Sequence, residues 1–170
     1  TQTGTFQPRN VGDGQVLGLE LEVRQNLGSL TGALDKFNFS SNISVIRSGI
    51  ELSLTEYYSR IENSRTGQSI SRTREMAGQS PWIINSGITW SGGEKAFWSG
   101  FEAGLFYNVQ GKTLQYVGIA DRPDIYTLPF HNLNFTASGK VGREKKMQIE
   151  LKVDNLLNDK KESVFKSFNP

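Results

Sequence analysis

The chain has no cysteine and a single histidine among its 170 residues. The first absence removes disulfide frameworks and thiolate-bound metals, and leaves the compartment open. The second leaves catalytic triads and multi-histidine metal centres almost nothing to be built from. No apolar run approaches the roughly 20 residues a membrane helix requires. A spanning helix is excluded; a membrane barrel is not, because its strands leave a much weaker hydropathy signal. An excess of one charge is missing too: 19 basic against 17 acidic residues give a net +2. No Lys/Arg run is interleaved with stacking aromatics, so nucleic acid is not expected as a partner. The densest basic cluster, GREKK at 142–146, reads as a solvated turn. Proline is scarce, while Gly, Ser, Thr, Asn and aromatics are plentiful, which suits many strands joined by polar turns.

What is present alternates. Residues 15–26 place Leu17, Leu19, Leu21 and Val23 on one parity and Glu20, Glu22 and Arg24 on the other. Residues 36–46 set Phe37, Phe39, Ile43 and Val45 against Asn38, Ser40, Asn42 and Ser44, and the pattern is expected to continue past a bend through Ile50, Leu52 and Leu54. Residues 80–91 carry Trp82, Ile84, Ile88 and Trp90 on one face, and 97–112 carry Phe101, Ala103, Leu105, Tyr107 and Val109. In 128–140, Leu133, Phe135 and Ala137 oppose Asn132, Asn134, Thr136 and Ser138. In 146–157, Met147, Ile149, Leu151 and Val153 oppose Gln148, Glu150, Lys152 and Asp154. Period two fits all six stretches better than the helical period. The expected fold is all-β, an antiparallel up-and-down meander of about six long strands.

The connections near 27–35, 91–96 and 141–145 are short; those at 55–79 and 113–127 are long and polar, and another begins at 158. In a meander this alternation gathers all long loops at one end, as in transmembrane barrels. Alternation alone does not separate a barrel from a soluble β-sandwich or a lipocalin-like binding module, which also pair an apolar with a polar face. Three features favour lipid. The apolar parity carries no charged residue at the positions named, while the other holds Glu, Lys, Arg and Asp. Trp82 to Trp90 spans roughly 26 Å of strand, or about 20 Å along the normal at a ~40° tilt, close to an outer-membrane apolar band. Trp82, Trp90, Trp98, Phe101 and Tyr107 cluster towards strand ends, as membrane-interface aromatics do.

Four segments carry a family likeness: NVGDGQVLGLELEV (10–23), REMAGQSPWIINSGITW (74–90), AGLFYNVQGKTLQYVG (103–118) and VDNLLN (153–158). In this order they resemble TonB-dependent outer-membrane receptors of the Bacteroidetes type. The resemblance implies a transmembrane barrel of about 22 strands occluded by an N-terminal plug domain. It also implies a Gram-negative outer membrane, surrounding lipid and lipopolysaccharide, and a TonB-type complex that energises uptake of a small-molecule, glycan or peptide substrate. This chain supplies about six of the strands, with a seventh expected near Ser163–Phe168. It is therefore expected to be the C-terminal portion of the barrel, a fragment over 1–170 without a plug. A smaller outer-membrane barrel without TonB coupling is the structural alternative.

No catalytic residue, metal site or cofactor is expected. His131 falls in an apolar-parity slot as an interfacial residue. Glu20, Glu22, Glu102, Asn134, Glu150 and Lys152 are expected to face the lumen, where paired acids meet water or plug and do no acid–base work. NFS (38–40), NIS (42–44) and NFT (134–136) match a glycosylation pattern but sit within strands. Candidate ligand contacts lie in the long loop 56–75, with Tyr57, Tyr58, Arg60, Arg65, Arg72 and Arg74, joined at the same end by Arg122 and Asp124. Arginine with tyrosine suits an anionic or sugar-rich ligand, and suits lipopolysaccharide phosphates equally.

Overall fold

The structure, a computed structural model, describes residues 12–93, 100–118, 122–141 and 146–166. Its strands are β1 (Gly14–Asn26), β2 (Phe37–Glu51), β3 (Thr73–Arg74), β4 (Trp82–Ser91) and β5 (Phe101–Gln110) in the first part. These are followed by β6 (Thr113–Tyr116), β7 (Asp124–Thr127), β8 (His131–Val141), β9 (Met147–Val153) and β10 (Ser163–Lys166). One helix, α1, spans Leu54–Glu62.

Six long strands form an antiparallel sheet in the order β1-β2-β4-β5-β8-β9, with β3 appended to β2. Each strand pairs with the next long strand in sequence, so the meander read from the periodicity is the observed one. The register keeps the parities together. One row runs Leu21–Ile43–Ile84–Val109–His131. Another runs Phe39–Ile88–Leu105–Phe135–Val153. The opposite face carries the row Glu22–Asn42–Asn85–Asn108–Asn132. A slip of one residue in any strand would mix the faces, so the apolar pattern fixes the register.

The sheet is staggered. The row from Asn26 passes through Asn38, Thr89, Gly104, Thr136 and Lys152. Those residues lie zero, one, two, three, five and five positions from the short-turn end of their strands. One residue of shift per strand, at ~3.3 Å rise and ~4.8 Å spacing, tilts the strands by about 35° from the normal to the rim, the tilt of a closing barrel. β4 and β5, at ten residues each, match the 9–11 residues a tilted transmembrane strand needs.

Among the described residues, none forms a second layer over the apolar face. Leu17, Leu19 and Leu21 are 76%, 75% and 61% exposed, and Met147 is 60% exposed at the far edge. A sandwich or a lipocalin would have buried these rows. Among the described residues, the buried apolar side chains are Val109 and Leu114.

The long connections depart from the sequence expectation. Leu52 and Leu54 do not prolong β2. The strand stops at Glu51, and Leu54 opens α1 after Ser53, whose side chain accepts the Glu56 N–H at 3.2 Å. The connection after β5 holds β6 and β7, not plain loop. β9 ends at Val153, and the residues after it turn through Asn155 and Asn158, both at positive φ, a conformation Asn tolerates better than other side chains. The expected seventh strand exists as β10, but it leaves the meander and pairs with β7 in a three-stranded sheet β10-β7-β6. The expected 142–145 turn, Phe97, Trp98 and Phe168 lie outside the described residues.

Candidate functional site

Two surfaces carry polar chemistry: the polar wall of the sheet and a cap over one end. The cap forms where β2, β4, β5 and β8 meet the long connections. Leu114 on β6 is its centre at 1% exposure, with buried Ser80, Thr113 and Thr127 around it. The Ser80 hydroxyl donates towards the Trp82 and Gly111 carbonyls at 2.9 and 3.1 Å. Thr127 donates to the Gln115 side chain at 2.9 Å.

An ion-paired group joins the two long connections. Arg60, near the end of α1, lays both terminal nitrogens on the Asp124 carboxylate at 3.1 and 3.2 Å. It also reaches Glu56 at 3.1 Å, and Glu56 in turn accepts from Arg74 Nε at 3.0 Å. Asp124 takes a further N–H, that of Gly118, at 2.7 Å. Two arginines against two carboxylates cancel in charge, and each buried charge keeps a partner, the condition under which burial is tolerated. Of the loop residues singled out in the sequence, the structure thus brings together Arg60, Arg74 and Asp124, and it turns them on one another.

The others stay nearer to solvent. The Arg72 guanidinium lies over the Tyr57 ring at 4.9 Å, and Tyr58 tilts beside Tyr57 at 5.8 Å. Tyr58, Arg65 and Arg122 are exposed. A cleft of about 230 Å³ opens beside the ion pairs, lined by Ser71, Arg74, Tyr126 and Lys166 among others. Tyr126 carries the Lys112 and Lys166 ammonium groups over its ring, 4.6 and 5.6 Å from the ring centre. Burial pushes its hydroxyl above the usual tyrosine value, Glu75 and Asp124 push the same way, and Arg60 and Arg74 oppose them. Glu56 and Tyr126 were not among the sequence candidates. The Ser53-x-x-Glu56 spacing is a helix-start signal that points to Glu56; nothing local points to Tyr126.

On the wall, Glu20, Glu22, Glu102, Asn134, Glu150 and Lys152 all share the polar face. Asn42 donates to Glu20 and Asn108 to Asn85, side chain to side chain across strands. An open trough of about 680 Å³ follows this wall past Asn38, Asn42, Asn85 and Phe106. Trp82, Trp90, Phe101 and Tyr107 lie on the apolar face, Trp82 towards the cap and Trp90 and Phe101 at the short-turn end. His131 shares that face, hydrogen-bonded through Nδ1 to the Tyr107 hydroxyl at 2.6 Å. No three metal-ligating side chains gather among the described residues.

A staggered sheet with one exposed apolar face, one amide and carboxylate face and all long connections at one end is a barrel wall. The family model for a TonB dependent receptor-like β-barrel matches residues 1–156. The chain belongs to that family. No curated relative and no solved structure matches it. TonB-dependent receptors are outer-membrane transporters and not enzymes. In a receptor barrel one face of the wall meets hydrocarbon and the other turns to the interior.

Proposed function

We propose that this chain is the C-terminal part of the barrel wall of an energy-coupled receptor that imports a bulky, scarce nutrient. The observation that carries the reading is the pairing of a largely apolar face, broken mid-sheet by the hydrogen-bonded Ser41–Ser86 pair, with an amide-rich face at a barrel stagger. A hollow interior lined with hydrogen-bonding groups gives a polar solute a path through hydrocarbon, and a plug domain supplied elsewhere in the protein would keep that path shut. A TonB-type complex would open it, in a Gram-negative bacterium of the Bacteroidetes kind. Tyr58, Arg65, Arg72 and Arg122, exposed around the cap, are the groups left to meet arriving solute or lipopolysaccharide phosphates.

The test uses the full-length receptor in its own cells. Protein in the outer-membrane fraction should migrate faster on a gel before heating than after it. Removing the receptor should slow growth on one limiting nutrient, and removing the energy-coupling complex should reproduce that defect. A receptor defect that survives intact in energised and de-energised cells alike would overturn the reading.

A further inference from the structure

The apolar face of the sheet carries fixed charge at one place. Among the described residues of the six long strands, the charged groups on that parity are Arg47 and Glu51, both at the cap end of β2. β2 outruns its neighbour there: Val45 pairs with Trp82, the first residue of β4, and Arg47 lies two residues further on. At ~3.3 Å rise and the ~35° tilt, Arg47 stands about 5 Å outside the Trp82 row. Its side chain is exposed and joins no hydrogen bond or ion pair among the described residues. The space beside it is open. Gly49, next on the same face, has nothing within 4 Å of an added Cβ. Across the strand pair, Gly49 faces Gln15 and Arg47 faces Leu17.

We propose that Arg47 anchors the phosphate of an outer-leaflet lipid against the outside of the wall. This deepens the outer-membrane reading above and rests on it. Both halves of such a lipid find a counterpart in the register. Towards the membrane, Leu17, Leu19 and Val45 form an exposed apolar surface on which acyl chains can lie. Towards water, the guanidinium presents a planar fork of donors that meets a phosphate bidentately. The Gln15 amide adds a donor beside it, and the bare backbone at Gly49 leaves room for the headgroup. The level is right as well. Interfacial aromatics sit among the headgroups, and Arg47 stands just to the water side of Trp82.

The charges nearby leave Arg47 available. Glu51 lies four residues further along β2, roughly 13 Å away, beside Asp13, whose carbonyl accepts the Glu51 N–H at 2.9 Å. Glu75 lines the cleft with Arg74 and Tyr126. Glu20 stands on the opposite face of the sheet and accepts from Asn42. Other cations do not crowd the same headgroup: Lys160 and Lys161 follow β9, with three strands between that edge and β2. One guanidinium thus serves one phosphate. An interfacial arginine with no lipid of its own would merely reach for water. A bound phosphate differs in that affinity depends on both groups at once.

The experiment is native mass spectrometry of the full-length receptor in detergent, titrated with diphosphorylated lipid A and with the same lipid stripped of phosphate. Arg47→Gln should weaken the phosphorylated lipid about tenfold, the size of a charge-assisted contact, and leave the stripped lipid as it was. The two removals are then non-additive, as for groups in direct contact. Gly49→Leu, which keeps Arg47 and fills the space beside it, should also weaken the phosphorylated lipid. Arg24→Gln, on the polar face near the short turns, should change neither affinity. Three results would overturn the anchor. One is phosphorylated lipid bound equally well by Arg47→Gln. Another is an equal loss for both lipids, which would make Arg47 a packing group. The third is Arg47-dependent displacement of the lipid by inorganic phosphate at about 10 mM, which would mark a site for free anions. Any of these beside a normal heat-dependent gel shift sinks the anchor alone. A full-length receptor with no gel shift, released from membranes without detergent, sinks the outer-membrane reading beneath it.

Discussion

The sheet and the cap solve the problem of burial in opposite ways. In the sheet, leucines and isoleucines line a face that no other described residues cover, with Leu19 at 75% exposure. In the cap, a few dozen residues seal Leu114 to 1% and carry Arg60 and Asp124 down to 8%. The cap is built as water-soluble proteins are, with buried polar groups each given a partner. The sheet is built for a different solvent: uncovered apolar rows cost nothing against hydrocarbon, and only the polar face has to be wetted. Cap stability is internal, while a barrel sheet borrows its stability from the bilayer and from neighbouring strands.

The sharpest way to separate the two is to break the cap alone. Arg60→Ala leaves Asp124 buried without its bidentate partner, a loss of about 3–5 kcal/mol for pairs of this kind. Trypsin should then cut at Arg65 much faster in the purified full-length receptor, while the heat-dependent gel shift of the barrel stays as it was. Arg60→Met with Asp124→Leu should recover much of the resistance, because a matched apolar pair leaves no orphan charge. Loss of the gel shift in Arg60→Ala would mean that cap and sheet fold as one unit.

The converse substitution acts on the sheet. Leu105, mid-strand in β5, faces the predicted hydrocarbon beside Phe135 and Ile88. Leu105→Arg should cost about 2–4 kcal/mol, the midplane penalty in an outer-membrane barrel, and lower the urea midpoint of the barrel in lipid vesicles. Thr89→Arg, one row away on the other face, should assemble as the unaltered protein does. Equal damage from both would remove the distinction between the faces.

The same contrast explains what could be read from the sequence. Faces, register and strand order followed from period two, because each strand must present one parity to one solvent along its whole length. Trp82, Ile84 and Ile88 could be placed before any partner was known. The cap obeys no such rule. Arg60 meets Asp124 across 64 positions of sequence, and Arg74 meets Glu56 across 18. Neither spacing is periodic, so the arginines looked like an open loop. α1 was hidden because Leu52 and Leu54 extend the alternation of β2, although the Ser53-x-x-Glu56 start was there to be seen. β6, β7 and β10, at four residues each, are too short to show a period. Phe106 was half legible: a bulky residue on the wrong parity, two positions after Gly104, with Gly87 beside it visible only in register.

A smaller effect tests packing on the apolar face itself. Gly139 on β8 lies under the Phe101 ring, and an added Cβ would meet ring carbons of its cross-strand neighbour. Gly139→Ala should therefore lower barrel stability by about 1 kcal/mol, the low end of overpacking costs, read as a modest fall in urea midpoint. Gly32→Ala, where nothing lies within 4 Å of the added carbon, should change nothing measurable.

The smallest effect belongs to the seam between the regions. After β9 the chain turns at Asn155, whose side-chain oxygen accepts the Asp159 N–H at 3.1 Å. The Asp159 carboxylate then accepts the His131 N–H at 2.7 Å and the Lys160 N–H at 2.8 Å. These two amides, His131 first, hold the carboxyl below its usual 3.8. A depressed value means the ionised form is the one the fold favours. Its contribution is complete above the usual value and disappears as pH falls through the lower, folded one. Pepsin cleavage within 154–162 of the full-length receptor should therefore accelerate as the pH falls below the usual carboxylate value of 3.8, beyond the enzyme's own activity profile. Asp159→Asn keeps an oxygen for one of the two amides and has nothing to titrate. It should be cut at a nearly constant relative rate over that range. A persistent acid step in Asp159→Asn would assign the seam to another group.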